Sequence, residues 1–371
     1  MKNFDELLKK YADFIVRVGV NPQPGQTLII NCCLEAAPLA RLCVRSAYEA
    51  GARDVLVNWS DNTVARTRME LGSEEALTDT KSWQLRRYLD YAESEGGVCV
   101  LHILADDPEI YAGLDGAKIS RVNAANRKFM APWREYTMND KVQWSIAAMP
   151  SAPWAKKMFP ELDTDAAIEK LWQLIFDVCR VTNGDPVSEW KAHLNRLMTL
   201  RDKMNALDLE SIHFESSNGT DLTVGLADKA SWESAGSKNE KGVDFLPNIP
   251  TEEVFTAPHK DKVNGIVYGT KPYVFNGQLI KGFHVIFKDG KVIEHGAVEG
   301  ADLLGQLLDT DEGSRHIGEV ALVPASSPIN RSGALFYSTL FDENAACHIA
   351  FGASYPGTTE GGTGLTKEQL L

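Results

Sequence analysis

The chain has no run of about 18 apolar residues, so no segment is long and apolar enough to cross a bilayer as a helix. Its opening, Met1-Lys2-Asn3-Phe4-Asp5-Glu6, is too polar and acidic for a secretory leader. Cysteine is sparse, at positions 32, 33, 43, 99, 179 and 347, and no C-x-x-C spacing occurs. Without a leader these thiols read as reduced cysteines of a cytoplasmic protein, and no catalytic-cysteine signature surrounds any of them. Cys99 and Cys347 lie in apolar, strand-like runs and are expected to behave as small core residues. Basic charge is in deficit, 38 Lys and Arg against 51 Asp and Glu, for a net charge of −13. A phosphate backbone is bound through basic surfaces, so general nucleic-acid binding is disfavoured.

Several catalytic signatures are also missing. No G-x-G-x-x-G follows the first strand-like run, where Asn31-Cys32-Cys33-Leu34 stands instead, and there is no G-x-x-x-x-G-K-[ST]. Binding of a dinucleotide or a nucleoside triphosphate is correspondingly disfavoured. There is no H-E-x-x-H, and His316-Ile317-Gly318-Glu319 has the wrong spacing for one. Gly352-Ala353-Ser354-Tyr355-Pro356 approaches a nucleophile elbow but has proline where glycine is required. A Ser-His-Asp triad stays open, because its members can lie anywhere in a sequence.

What is present is ordinary globular composition, 44% hydrophobic and 24% charged, over 371 residues, enough for two domains. Residues 3–18 carry Phe4, Leu7, Leu8, Tyr11, Phe14, Ile15 and Val18 at the spacing of one helical face, with Pro22, Pro24 and Gly25 beyond it. Strand-like runs at 27–30, 54–57, 98–104 and 142–149 alternate with helical segments, among them 37–50 and 82–94. Runs apolar on both faces predict a parallel sheet covered by helices on both sides. Long helical patterns at 166–181 and 186–206 complete an α/β N-terminal domain, residues 1–206.

Beyond 207 the pattern becomes hairpin-rich. Ser211–Glu215 and Leu222–Gly225 flank Asn218-Gly219, and Asp289-Gly290 marks a second tight turn. Further strands are expected at 266–267, 273–275, 283–287, 292–294, 319–323 and 348–351, with one short helix near 301–308. Residues 207–371 therefore read as an α+β, mainly antiparallel domain. Thr366-Lys367-Glu368-Gln369-Leu370-Leu371 begins like a capped helix.

This second half also holds the chemistry. His259, His284, His295, His316 and His348 all fall in it. Glu319, inside the apolar run Ile317–Val323, must face solvent, a partner or a metal, and an outward-facing strand carboxylate fits the alternation equally well. His348 is open to the same two readings, a metal ligand or a core histidine bonded to backbone. Pro250-Thr251-Glu252-Glu253 suits a helix N-terminus, yet Val254-Phe255-Thr256-Ala257-Pro258 does not continue as a helix. Asp342-Glu343-Asn344 is a third acidic site. Carboxylates and imidazoles without thiolates suit Zn²⁺, Mn²⁺ or Co²⁺ in a hydrolytic centre, where two ions can share a carboxylate. Trp232, Phe245, Tyr268 and Tyr273 offer an aromatic pocket, although aromatics at such spacings are more often packing.

At these residues the chain resembles a known family. Asn248-Ile249-Pro250-Thr251-Glu252-Glu253-Val254-Phe255-Thr256-Ala257-Pro258, Arg315-His316-Ile317-Gly318-Glu319-Val320-Ala321, and Phe341–Ala350 with Ser354-Tyr355-Pro356-Gly357 are similar to three ordered motifs of the thermophilic-type metallo-aminopeptidases. This is the family of aminopeptidase T and aminopeptidase S, and the likeness is nearest to the streptococcal and staphylococcal type of the latter. The resemblance implies a cytoplasmic homodimer that removes N-terminal residues from peptides, through water activated by two divalent metal ions (Zn, Co, Mn or Mg). It implies Glu253 as a ligand of one ion, Glu319 as the bridging carboxylate and His348 as a further ligand. Glu343 and Tyr355 are implied as catalytic residues that move a proton or stabilise the transition state. Members of the family finish with a His-x-Asp pair that supplies the remaining ligands, and the residues after His348 contain none. A polypeptide ending at Leu371 is therefore expected to bind metal weakly and to have little activity. The alternative is a catalytically silent, peptide-binding or scaffold relative.

Overall fold

The computed structural model describes residues 1–105, 107–182 and 184–365, so the helix start at Thr366–Leu371 lies outside the described residues. Two compact units are formed, one from 1–114, 121–194 and 235–251, the other from 115–120, 195–234 and 252–371.

The first unit is built on a four-stranded parallel sheet in the order Asp54–Ser60, Thr27–Cys33, Val98–Leu104, Trp144–Ala148. Leu28, Ile30, Val98 and Leu101 are completely buried, as expected of strands covered on both faces. Helix Phe4–Phe14 packs Tyr11 against Trp172 and Phe176, and Phe14 stacks on Trp190. The opposite cluster, Ile29, Val98, Val100, Trp133 and Val142, lies beneath Leu85, Tyr88 and Leu89 of helix Ser82–Ala92. The first helix was expected to run unbroken through Val18, but after Phe14 it widens into a π-helix over Ile15–Val20. There the Gly19 carbonyl accepts from the Leu246 N–H at 2.8 Å, a bond that a wider turn leaves room for.

The second unit is antiparallel. One sheet runs in the order Lys291–Gly296, His284–Lys288, Pro258–Tyr268, Asp221–Leu226, Ser211–Glu215. Its two predicted turns are present, with Gly219 at φ 100° and Asp289-Gly290 at 48° and 79°. Only 266–267 of the long Pro258–Tyr268 strand was expected. Its first half, His259-Lys260-Asp261-Lys262, is polar and interrupted by a register shift before Val263, which hides the alternation. The second sheet runs His348–Phe351, Ile317–Leu322, Val254–Thr256, Glu233–Ser234. Short helices at Pro328–Ser332 and Thr339–Asp342 add to the expected one at Ala301–Leu308. Val254, Ile317 and Val320 bury one face of this second sheet in a core with Leu222, Val224, Val285 and Leu304.

Candidate metal centre

The opposite face of that sheet carries the chemistry, and the strand register explains why. Phe255, Ala321 and His348 are paired across three neighbouring strands. Side chains alternate along a strand, so Glu319, two residues from Ala321, shares their face. Glu253, two residues before Phe255, enters at the mouth of its strand. The small Ala321 side chain leaves room between the larger ones. The donor atoms of Glu253, Glu319 and His348 consequently all lie within 4.8 Å of one another. His348 Nε2 is 3.1 Å from Glu253 Oε2 and 3.6 Å from Glu319 Oε1, and the three side chains are only 9–19% exposed.

A bulge next to Gly318 aims Glu319. The register shifts between Ile317 and Glu319, and the Gly318 carbonyl accepts from the Ser354 hydroxyl at 2.6 Å. Ser354, met in sequence as part of a near-elbow, thus clamps the bulge with its hydroxyl. The following residue, Tyr355, places its ring 6.1 Å from that of Phe255, which alternation puts on the donors' side of its strand. Glu343 opens the short turn Glu343–Ala345 and joins the same electrostatic cluster. Burial first, then the Glu253 carboxylate, pushes the Glu343 carboxyl up to about 8. His348 is driven the other way from a buried imidazole: burial opposes its charge, but close polar contact with Glu253 and Glu319 raises its pKa well above the ordinary value.

The donor set fits a divalent cation. Glu253 Oε2 and His348 Nε2 are sealed from solvent without a well-formed hydrogen bond to the protein, a costly arrangement that a shared cation would relieve. Carboxylate and imidazole donors without thiolate suit an ion that keeps open positions for water and substrate.

Other candidates lie elsewhere. His316 Nδ1 bonds the Lys260 carbonyl, His284 lies against Tyr268, and neither joins the donor group. The chain's one His-x-Asp triplet, His259-Lys260-Asp261, is closed on itself, with His259 Nδ1 accepting from the Asp261 N–H at 3.1 Å. Trp232 and Phe245 are buried packing residues, and Tyr268 is exposed at the sheet. Tyr273 is held above its ordinary pKa by burial and then by the Glu343 charge. Cys347, expected in the core, is exposed: its neighbour His348 turns inward on the strand, which sends Cys347 out. Gly318 and Asn344 escaped sequence reasoning, although a glycine inside the strand run Ile317–Val323 is itself a bulge signal.

Carboxylate and imidazole donors gathered on an antiparallel sheet, in a chain that also holds a parallel α/β unit, suit a metal-dependent hydrolase. The chain belongs to the thermophilic metalloprotease (M29) family, whose profile matches residues 4–371. It is 42% identical to aminopeptidase 2 of Geobacillus stearothermophilus, over all of this chain and 89% of that protein. It is 40% identical to aminopeptidase AmpS of Bacillus subtilis, over all of this chain and 90% of that one. The structure of wild-type AmpT from Thermus thermophilus superposes with a TM-score of 0.89 at 37% identity, covering 97% of this chain and 89% of that one.

Proposed function

We propose that this metallo-aminopeptidase removes the N-terminal residue of peptides at the face carrying Glu253, Glu319 and His348, using two divalent ions. Glu253 would hold one ion, Glu319 would be the carboxylate shared by the pair and His348 would be a further ligand. Zn²⁺, Co²⁺, Mn²⁺ and Mg²⁺ all suit donors of this kind. Bound there, such ions would supply the Lewis acidity that activates water and polarises the scissile carbonyl. The single observation that supports this most is the convergence of three mutually close donors, two of them with atoms sealed from solvent and without a good protein partner.

The remaining residues do the proton and charge work. Burial and the Glu253 carboxylate raise the Glu343 pKa, which favours the protonated carboxyl, and in the reaction that carboxyl passes a proton to the leaving amine. The Tyr355 hydroxyl donates to the carbonyl oxygen as negative charge builds on it. The protein works as a cytoplasmic homodimer, a reading supported by the family resemblance.

The test is a mass-spectrometric time course on an unblocked peptide and its N-acetylated form, with and without added divalent metal. Stepwise, metal-dependent loss of single residues from the free N-terminus alone is expected. Equal cleavage of both forms, or internal cleavage, would remove the aminopeptidase reading.

A further inference from the structure

Resting on that reading, we propose that Asn344 is a positioning residue that fixes the Glu253 arm against Glu343. Asn344 is wholly buried. Its side-chain oxygen accepts from the Glu252 N–H at 2.7 Å, the residue before the proposed ligand. Its amide nitrogen donates to the Leu340 carbonyl at 3.3 Å, and its own carbonyl accepts from the Ser327 hydroxyl at 2.7 Å.

Those bonds hold the two sides of the centre in register. The Asp342 carboxylate fixes the neighbouring loop by accepting from the Phe336 and Ser338 N–H groups at 2.9 and 3.1 Å. Ser327 ties down the Glu343–Ala345 turn through backbone alone. Asn344 does something different: it joins that turn, which carries Glu343, to the arm that carries Glu253, 92 residues away from it in sequence. A sealed site that must satisfy an N–H and a carbonyl at once calls for a carboxamide, with one acceptor and one donor. Leucine of similar volume would orphan both backbone groups. Aspartate would keep the acceptor but lose the donor.

The experiment compares wild type, Asn344→Leu, Asn344→Asp and Ser327→Ala as full-length protein. It measures kcat, KM, melting temperature and Zn²⁺ affinity by competition with a chromophoric chelator. Ser327→Ala removes a buried hydrogen bond from the same turn without touching the Glu253 arm, so it sets the loss due to stability alone. A displacement near 1 Å at a reacting centre costs up to about 100-fold. The Leu variant should therefore lose about 30- to 100-fold in kcat with KM little changed, and hold Zn²⁺ several-fold more weakly. The Asp variant should recover part of both. At equal loss of melting temperature, Ser327→Ala should keep kcat within about threefold, well inside that positional cost. If the Leu variant does not fold, the Asp variant decides: its kcat must fall more than that of Ser327→Ala. Asn344 variants whose kcat merely follows melting temperature, as Ser327→Ala does, would overturn the positioning role while leaving the aminopeptidase reading intact. A wild type without metal-dependent release of N-terminal residues would overturn both.

Discussion

Replacing Gly318 by alanine should damage the centre without altering any proposed ligand. An alanine Cβ there would stand 2.5 and 2.6 Å from the Ala353 carbonyl carbon and oxygen and would also collide with the Gly352 carbonyl oxygen. Ordinary contact begins at 3.4 Å, so the backbone segments must part by about 0.9 Å. All three obstacles are backbone atoms, and no flexible side chain can yield in their place. Overpacking of this kind costs about 1–3 kcal/mol, or about 2–12 °C in the melting of this unit. The displaced residue next in line is Glu319, and a shift of about 1 Å there should reduce kcat/KM about 100-fold, near 2.7 kcal/mol of transition-state stabilisation. Steady-state kinetics on a short unblocked peptide, paired with a thermal melt, measures both. Gly364→Ala is the control, since nothing lies within 4 Å of its Cβ position. A Gly318→Ala protein with wild-type melting and kcat/KM within about twofold would refute the claim that the bulge aims Glu319.

Three further outcomes are expected. Burial lowers the His102 pKa to about 4 from an ordinary 6.5, so the folded chain refuses a proton that the unfolded chain accepts. Stability should fall by at most about 3 kcal/mol as pH drops from about 6.5 to 4, and melting curves of His102→Gln should lack that slope. Tyr11→Phe deletes a buried hydrogen bond from the phenol to the Ala148 carbonyl; it should cost about 1–2 kcal/mol in chemical denaturation and leave peptide hydrolysis unchanged. Chelator treatment should abolish hydrolysis, with recovery on adding Zn²⁺ or Co²⁺, and Glu343→Gln should remain about 100-fold slow even when metal-loaded.

Much of the fold was legible because both patterns are local. The doubly apolar runs at 27–30 and 98–104 and the Asn218-Gly219 turn announce themselves within a few residues. The polar half of Pro258–Tyr268 and the π-helix at Ile15–Val20 did not, because a register shift and a single bond from Leu246 decide them. At the site the candidate donors could be named from sequence, but not their convergence, which depends on pairing Phe255 with Ala321 and Ala321 with His348. Asn344 was invisible for the same reason. Its decisive partner, the Glu252 N–H, is a backbone group far away in the chain, and no side-chain pattern records it.

Metal content per chain tests the central claim most directly, measured by elemental analysis after Zn²⁺ loading and desalting of wild type and Glu319→Gln. The wild type should retain Zn²⁺ and the variant markedly less, since Glu319 is the carboxylate that every ion held there would share. A wild type that keeps no metal, or a variant that keeps as much as the wild type, would contradict it.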